Sequence, residues 1–443
     1  MLDVRRWDHS RRCGTWEGCV PNRCRNRRSA TGCNPAAGPR PRWSYGYGTG
    51  AGTVTVAVHG TKAPGVIAPV PIRKTPRRID PAPAAVTHAL ADGRYQSPLR
   101  YPGAKSGLAN VIGELLTSAQ QSAEVRKVDL LVEPFAGGAS TTLRLLGAGI
   151  VERALLADAD PMVAAFWQVS ASRTQELIER ISDEHQTYVA AGGSVALERW
   201  DYWRAWTARP GTSHATADLE LATKCLFLNR TTFSGILHGH AGPIGGRAQT
   251  SAYSIGCRFN LPNLVERIEF LGHLYDTKRL VDVWHSDWKT TLHGVASYYK
   301  TLLPNRVVAY LDPPYLSKSG KLYPRSFDGR EGPTGSDLFW TAQLQHHRLA
   351  EYLRREMQYR WILSYDHDDR LLADDGLYAA RAMSPDPENR HLSGVKAWRI
   401  SKRLVTLNYT ASARTGRGLA KELLITTLPW AKVPVNDRLL AVS

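Results

Sequence analysis

The sequence predicts a doubly wound, mostly parallel α/β sheet that carries a mainly helical insert and follows a disordered basic tail. Three observations lead to this prediction. Strand-like and helix-like segments alternate from Gln96 onward, which is the pattern of βαβ units. A glycine-containing turn separates the first strand-like segment from the helix after it. Acidic residues follow several apolar runs, at the strand ends where an open α/β sheet binds its ligands.

Residues 1–95 differ from the rest of the chain in charge and in proline content. They hold 16 lysine and arginine residues against 5 acidic residues, which is +11 of the formal charge of +17. Ten of the 26 prolines and the tract SYGYGTGAG also lie there. Such a composition buries too little apolar surface to fold, so we expect a disordered tail. The basic balance of the chain favours a polyanionic partner such as nucleic acid.

The apolar segments are short. None approaches the roughly 20 residues that span a membrane, and no apolar stretch follows the arginines near the N-terminus. A secretory signal needs such a stretch. These features predict a cytoplasmic protein that does not enter a membrane.

Residues 96–165 form the first half of the predicted sheet domain. The segment LANVIGELLTSA has the period of an amphipathic helix, and the apolar run Val128–Val132 is predicted to form a strand. The turn PFAGG then leads into a second helix that ends near Gly147 or Gly149, and ERALLADAD forms the next strand.

Residues 166–279 are predicted to form a mainly helical insert. Helical periodicity runs through the segments around QELIERISDEH, ATADLELATKCLFLNRTTFSG and NLPNLVERIEFLGHLY. The glycine-rich loop HGHAGPIGGRAQTSAY lies between the last two segments. A loop of this length inside a compact domain is usually functional.

Residues 280–430 complete the predicted sheet domain. RLVDVWHSD, NRVVAYLDPPY and RWILSY are read as strands, with helices predicted at WKTTLHGVASYYKTLL and HHRLAEYLRREM. RLVTLNYTAS and AKELLITTLP form a closing strand pair. This order places Asp158, Asp287 and Asp312 at the carboxyl ends of parallel strands.

The turn around Gly137 and Gly138 has two readings. It is either a plain tight turn or a backbone that approaches a ligand at a helix N-terminus. Asp158 follows Gly138 by 20 residues, which is where an α/β nucleotide site holds ribose hydroxyls. The sequence has neither G-x-G-x-x-G at this turn nor a P-loop, which argues against a dinucleotide oxidoreductase and a P-loop nucleotidase.

The corner LDPPY is the second feature that predicts chemistry. Asp312 offers a carboxylate, Pro313 a carbonyl group, and Tyr315 a flat ring, while Pro313 and Pro314 restrict the backbone. Two acceptors and a ring fit an aromatic base with an exocyclic amino group. A structural Pro-Pro turn is the alternative.

These segments together resemble the Dam-like (D12 class) DNA adenine-N6 methyltransferases. The similar segments are RYPGAKSGL, EPFAGGAS, FLNRTTFSGIL, LDPPY and GRGLAKELLIT, in the order of that family, over residues 98–429. The resemblance implies a Rossmann-like methyltransferase sheet and a target-recognition insert. It also implies site-specific methyl transfer from S-adenosylmethionine to N6 of a flipped-out adenine in double-stranded DNA, with no metal ion.

The resemblance assigns site residues by position. The implied cofactor contacts are Tyr101, Pro102, Gly103, Lys105, Glu133, Phe135, Ala136, Gly137, Asp158 for the ribose, and Asp287 for the adenine ring. The implied target-base site is Asp312, Pro313, Pro314 and Tyr315. Ala139 is a departure, since the family often has glycine there.

Basic and polar residues of the insert and of one later loop are candidates for DNA contacts. They are Arg230, His238, His240, Arg247, Arg258 and Asn260, together with Arg414 and Arg417. We expect a monomer, with a cognate restriction endonuclease as a partner if the chain serves restriction and modification. Two other classes stay open: methylation of cytosine N4 or of a protein amide, and a DNA-binding relative without catalysis.

Overall fold

The computed structural model describes most of the chain from Gln96 onward. The described residues are 96–100, 107–122, 125–239, 241–314, 337–368, 371, 377–378, 398–408, 419–429 and 439–441. The predicted tail, residues 1–95, lies outside them.

Eight described strands form one sheet. In chain order they are β1 (Leu130–Glu133), β2 (Arg153–Asp158), β3 (Leu280–His285), β4 (Val307–Leu311), β5 (Arg360–Asp366), β6 (Ser401–Asn408), β7 (Leu419–Thr426) and β8 (Leu439–Ala441). Their order across the sheet is β3-β2-β1-β4-β5-β7-β6-β8. Every pairing from β3 to β5 is parallel, whereas β7 runs antiparallel to both β5 and β6.

Nine α-helices lie in the described part of the chain. They are α1 (Leu108–Gln120), α2 (Ser140–Gly147), α3 (Pro161–Ser172), α4 (Thr174–Glu184), α5 (Gly193–Ala205), α6 (His214–Thr231), α7 (Leu261–Asp276), α8 (Trp288–Tyr298) and α9 (Asp337–Arg355). Several helices begin at a capping side chain. The side chains of Asp160, Ser213, Asn260 and Asp287 each accept a backbone N–H of the helix that follows.

The alternation of side chains along the strands builds a core on each face of the sheet. On β1, Leu131 belongs to one buried apolar cluster, whereas Leu130 and Val132 belong to the other. Each of these side chains is fully buried, and burial of one such side chain stabilises by about 1.5–3 kcal/mol. The structure therefore confirms a mixed α/β fold with a mostly parallel sheet, compatible with the Rossmann-like prediction.

The helical insert is packed into one of these two cores. Phe166 of α3, Leu226 of α6 and Leu271 of α7 lie in the same buried cluster as Leu131 and Leu156 of the sheet. Helix α3 packs against both α6 and α7. The insert and this face of the sheet therefore share a continuous hydrophobic core.

Most predicted elements occur, with shifted ends. The first strand begins at Leu130 and includes Glu133, and the helix predicted around HHRLAEYLRREM begins earlier, at Asp337. Helix α5 had no prediction, because its apolar residues follow no clear period. Its tryptophans Trp200 and Trp203 are nevertheless buried. No described helix has the length and apolarity that crossing a membrane requires.

A buried carboxylate ties three helices of the insert together. Glu184 ends α4 and is fully buried. It accepts hydrogen bonds from Arg180 (2.7 Å), from the Trp203 indole (2.9 Å) and from Arg199, which is on α5. Arg180 also pairs with Glu220 of α6 (2.9 Å). Burial alone would raise the pKa of Glu184, but the bonds from Arg199 and Trp203 and the charge of Arg180 hold it below its ordinary value.

We predict that Glu184→Gln lowers the free energy of unfolding by about 3 kcal/mol, because it removes the buried charge with which the half-buried Arg180 and Arg199 pair. The lowered pKa means that this stabilisation is present above the unfolded pKa and is lost as the pH falls through the folded one. The difference from the parent should therefore shrink in acid. Urea unfolding at pH 7.5 and in acid measures it.

Asp201→Asn is the matched control, since it breaks an exposed pair with Arg247 and should leave the midpoint nearly unchanged. Equal losses in the two variants would contradict a structural role of the buried network.

Candidate functional site

Parallel pairing brings three acidic residues to one edge of the sheet. Glu133 is the last residue of β1, Asp158 the last of β2, and Asp312 follows the last residue of β4. Strand β1 lies between β2 and β4 and is parallel to both. The three carboxyl groups therefore lie on neighbouring strand ends, where an α/β sheet binds ligands.

The turn after β1 has a defined backbone shape. Gly137 has φ 43° and Ala139 has φ 44°, both in the left-handed region. The backbone N–H of Gly137 donates to the Asp158 carboxylate (2.8 Å), and its carbonyl oxygen accepts from the Trp167 indole (2.9 Å). A left-handed conformation costs an alanine roughly 1–2 kcal/mol, so Ala139 is held there by its surroundings. Glycine, which the resemblance implies at this position, would adopt the same conformation without that cost.

The Asp158 carboxylate joins two turns. One oxygen accepts the Gly137 N–H, and the other accepts the backbone N–H of Asp160 (2.8 Å). Burial raises the pKa of Asp158 to about 7, and the charge of Asp160 adds to this, against the lowering by the two backbone bonds and by His238. Near neutral pH, the group can therefore either accept or donate hydrogen bonds to a ligand.

Asp160 connects this turn to the insert. Its carboxylate caps α3 by accepting from the backbone N–H of Met162 (2.8 Å). It also pairs with the ring of His238, a residue of the loop after α6. Arg204 of α5 holds the same loop by donating to the carbonyl oxygens of Leu237 (3.2 Å) and Gly239 (2.5 Å).

Glu133 has an unsatisfied carboxyl oxygen in the described structure. Its side chain is only 3% exposed, and Oε2 has no hydrogen-bond partner among the described residues. Burial raises the pKa of Glu133 well above its ordinary value, and the charges of Asp312 and Asp158 add to this. A buried polar atom without a partner is costly, and a ligand group that is cationic or donates hydrogen bonds would satisfy it.

The corner after β4 has its acid fixed by a short chain of hydroxyl groups. Ser364 of β5 donates to Oδ1 of Asp312 (2.8 Å), and its oxygen lies 3.1 Å from the Tyr310 hydroxyl. Tyr310 and Ser364 are buried, whereas Asp312 is half-buried. Because the Ser364 proton goes to Asp312, Tyr310 donates to Ser364. The carboxylate is therefore oriented from beneath while part of it faces outward.

The remaining cofactor and target-base candidates lie in several places. Phe135 and Ala136 are in the turn after β1, half-buried and buried respectively. The carboxylate of Asp287 caps α8, where it accepts from the backbone N–H groups of Lys289 (2.9 Å) and Thr290 (3.0 Å). Pro313 and Pro314 follow Asp312. The candidates outside the described residues are Tyr101, Pro102, Gly103, Lys105 and Tyr315.

The candidate DNA contacts differ in exposure. Arg258 is exposed, with its guanidinium 5.9 Å from the centroid of the Tyr253 ring. Arg247 is exposed and paired with Asp201 (2.6 Å). Asn260 caps α7, and His238 pairs with Asp160. His240, Arg414 and Arg417 lie outside the described residues.

Arg230 lies in the interior rather than on a surface. It is 7% exposed, and its guanidinium donates to the carbonyl oxygen of Pro98 through two nitrogens, one at 2.9 Å. Burial lowers the pKa of Arg230 to about 9, with the charges of Arg267 and Arg100 adding to this. We therefore leave Arg230 out of any surface for a large partner.

Several residues of the site had no prediction from sequence. Ser364 lies in RWILSY and meets Asp312 only because β5 pairs with β4. Trp167 reaches the Gly137 carbonyl from α3. Such contacts join residues 30 and 52 positions apart, and no local pattern in the sequence reports them.

We predict that pH separates Asp158→Asn from the parent protein. A pKa raised on folding means that the contribution of Asp158 to stability is full below about pH 4, the unfolded value, and is lost as the pH rises through about 7. The melting temperature of the parent should therefore fall relative to that of the variant between pH 5 and pH 8. Calorimetry across this range is the measurement.

Glu198→Gln changes an exposed carboxyl group on α5 and should follow the parent throughout. If the curves of the parent and Asp158→Asn keep a constant separation, burial does not control the protonation of Asp158.

Comparison with known proteins shows a match to one protein family over part of the chain. A search of curated proteins found no match to this chain. The model of the D12 class N6 adenine-specific DNA methyltransferase family matches residues 101–239, about a third of the chain. The matched region includes the glycine turn, Asp158 and the insert as far as Gly239, and it ends before the LDPPY corner. Over residues 101–239 the chain is thus similar to the D12 class N6 adenine-specific DNA methyltransferases, as its motifs indicate, and this similarity supports DNA adenine methylation as its general activity.

Proposed function

We propose that this protein transfers a methyl group from S-adenosylmethionine to N6 of adenine within a specific sequence of double-stranded DNA. The observation that carries the proposal is the convergence of Glu133, Asp158 and Asp312 on adjacent strand ends, in a chain whose residues 101–239 match an adenine methyltransferase family. Asp158 accepts a hydrogen bond from the glycine turn, Glu133 ends the strand before that turn, and Asp312 begins the Asp-Pro-Pro-Tyr corner.

The residues beside the glycine turn fit S-adenosylmethionine. Its methionine part has an ammonium group, which would satisfy the buried Oε2 of Glu133. Its ribose hydroxyls would meet Asp158, and its adenine ring the turn after β3, which Asp287 fixes by capping α8. The proposal also includes Phe135, Ala136 and Gly137 of the turn, and the motif Tyr101, Pro102, Gly103 and Lys105.

The target base is assigned to the other side of the same edge. The carboxylate of Asp312 and the carbonyl group of Pro313 would accept the two hydrogens of the adenine amino group, and Tyr315 would stack on the ring. Pro314 restricts the backbone between them. Adenine inside a duplex cannot reach such a corner, so it must be flipped out, at a cost of a few kcal/mol. Stacking on Tyr315 would return about 1–3 kcal/mol.

Asp312 acts mainly by position in this proposal. When bound, S-adenosylmethionine would supply an electrophilic methyl group, with its thioether as the leaving group. Asp312 and the Pro313 carbonyl hold the amino hydrogens so that the nitrogen lone pair points away from the base plane. Asp312 would stabilise the nitrogen as it becomes positive and would accept the proton that leaves it. Ser364 keeps the carboxylate in place, which fits a mechanism of alignment and electrostatic stabilisation.

Residues 96–165 and 280–430 are proposed as the catalytic domain, and residues 166–279 as the target-recognition region. The last turn of α6 and the first of α7 flank the long loop of the insert. Arg247, Arg258 and His238 on this part of the chain, with His240, Arg414 and Arg417, are the proposed DNA contacts. The basic segment 1–95 would add affinity through counterion release.

Methyl transfer to DNA tests the proposed function directly. The full chain is incubated with radiolabelled S-adenosylmethionine and genomic DNA, and the digested nucleosides are separated by mass spectrometry. We expect N6-methyladenine, and sequencing of the modified DNA then gives the recognition site. N4-methylcytosine would move the protein to the other amino methyltransferases. Binding to DNA without any transfer would instead indicate a relative that has lost catalysis. Cytoplasmic location, a monomeric state and a partner endonuclease remain predictions.

We predict that Asp312→Ala lowers the single-turnover rate of methyl transfer by at least about 100-fold, because it removes the acceptor that stabilises the developing positive charge. Ser364→Ala leaves that charge but removes its anchor, so we expect a loss of about tenfold. Rapid-quench assays on unmethylated DNA that carries the recognition sequence measure both rates.

Binding of S-adenosylhomocysteine, which has no methyl group to transfer, is the control and should be unchanged in both variants. Full activity of Asp312→Ala would remove the corner from the reaction, whereas loss of cofactor binding would place Asp312 in the cofactor pocket.

We predict that Arg258→Ala weakens binding to DNA. If the guanidinium contacts a phosphate, affinity should fall for all sequences alike and the salt dependence of binding should decrease by about one charge. A contact to a base edge would relax one position of the site. Fluorescence anisotropy at several salt concentrations separates the two cases.

Arg126→Ala provides a matched control. Arg126 is exposed and precedes β1, so it lies at the edge of the sheet opposite the acids. The same loss of charge there should leave DNA binding unchanged, and an equal effect in both variants would remove Arg258 from the contact surface.

A further inference from the structure

Residues 96–100, which lead into the proposed cofactor motif at Tyr101, are held by side chains of the insert. Arg267 of α7 donates to the carbonyl oxygen of Ser97 and to the side chain of Gln96, both at 3.0 Å. The buried Arg230 donates to the carbonyl oxygen of Pro98. The cofactor motif therefore starts from a point that the recognition region fixes.

Asn229 makes a further connection to this segment. Its side chain is fully buried near the end of α6. Oδ1 accepts the backbone N–H of Arg100 (2.6 Å), and Nδ2 donates to the Arg100 carbonyl oxygen (2.7 Å). The amide therefore pairs with both backbone groups of Arg100, as a neighbouring strand would.

The same amide also holds the loop after α6. Nδ2 of Asn229 makes its second bond to the carbonyl oxygen of Gly235 (3.0 Å). Gly235 has φ 75°, and a Cβ there would overlap the carbonyl oxygen of Arg100. The loop can approach Arg100 this closely only because residue 235 is glycine.

This loop presents an apolar side chain to its surroundings. Phe233 is 64% exposed, on a turn in which Ser234 also has a positive φ of 56°. The loop lies in the region proposed to contact DNA. One amide group thus connects the backbone that enters the cofactor motif with a loop of the proposed recognition region.

We propose that Asn229 is a positioning residue that couples cofactor binding to DNA binding. Both hydrogens of its amide are used, one on each side, so a shift of the Gly235 loop must be shared with Arg100 or must break a buried bond. DNA that settles the loop then also settles the start of the cofactor motif. The coupling is reciprocal, since cofactor must tighten DNA binding by the same factor. This inference rests on the proposed function.

The experiment measures the affinity for S-adenosylhomocysteine by calorimetry. It is done with and without a saturating unmethylated duplex that carries the recognition sequence. For the parent, we expect the duplex to tighten binding by about tenfold, within the usual range of coupling between two sites. Asn229→Ala should reduce this ratio to about one. Gly235→Ala, which disturbs the joint from the loop side, should do the same, and it carries the test where Asn229→Ala does not fold.

Arg267→Ala is the matched control, because Arg267 holds the same segment but makes no bond to the Gly235 loop. It should weaken binding of S-adenosylhomocysteine with and without DNA and leave the ratio as in the parent. A merely structural role of Asn229 would give that same pattern in Asn229→Ala and would overturn the inference.

An unchanged affinity in the parent on adding DNA would also overturn the inference, while methyl transfer would still support the proposed function. Failure of the proposed function looks different, since the parent would then neither bind S-adenosylhomocysteine nor methylate DNA.

Discussion

The parallel pairing of β1 with both β2 and β4 is the constraint on which the candidate site depends. It places Glu133, Asp158 and Asp312 on adjacent strand ends, although the last of them is far away in sequence. Two hydrogen bonds then fix the positions of Asp158 and Asp312. Asp158 holds the turn after β1 by its bond to Gly137, and Ser364 holds Asp312 from the neighbouring strand β5.

Carboxyl groups this close together repel one another when ionised, and burial also disfavours the ionised form. The pKa of Asp158 and that of Glu133 are both raised, by burial first and then by neighbouring negative charges. Because both pKa values are raised on folding, the contribution of these two groups to stability is lost as the pH rises. A cationic ligand would reverse the effect, because a positive charge favours the ionised form of each acid. These carboxyl groups would therefore favour the proposed cofactor S-adenosylmethionine over an analogue that lacks its sulfonium charge.

The order of the strands along the chain, the glycine turn and the acids at strand ends could be predicted from the sequence. Each of these features has a local pattern of apolar, glycine or proline residues. The sequence was insufficient where side chains meet across the fold. Asp287 follows a strand as predicted, but its role as a helix cap depends on the orientation of α8. Arg230 has the charge expected of a DNA contact, and only packing shows that it is buried against Pro98. Helix α5 had no prediction because its apolar residues follow no clear period, although Trp200 and Trp203 are buried.

The shared core of insert and sheet limits how far the proposed recognition and catalytic regions can be separated. Phe166, Leu226 and Leu271 bury the insert against strand residues such as Leu131, and Asn229 and Arg230 hold the segment before the cofactor motif. An insert exchanged as a block would therefore leave one face of the sheet exposed and residues 96–100 without their partners. Specificity could change at exposed loop positions such as Arg258 with little effect on this core. The buried face of α6, by contrast, belongs to the same core as the sheet, although its sequence lies within the proposed recognition region.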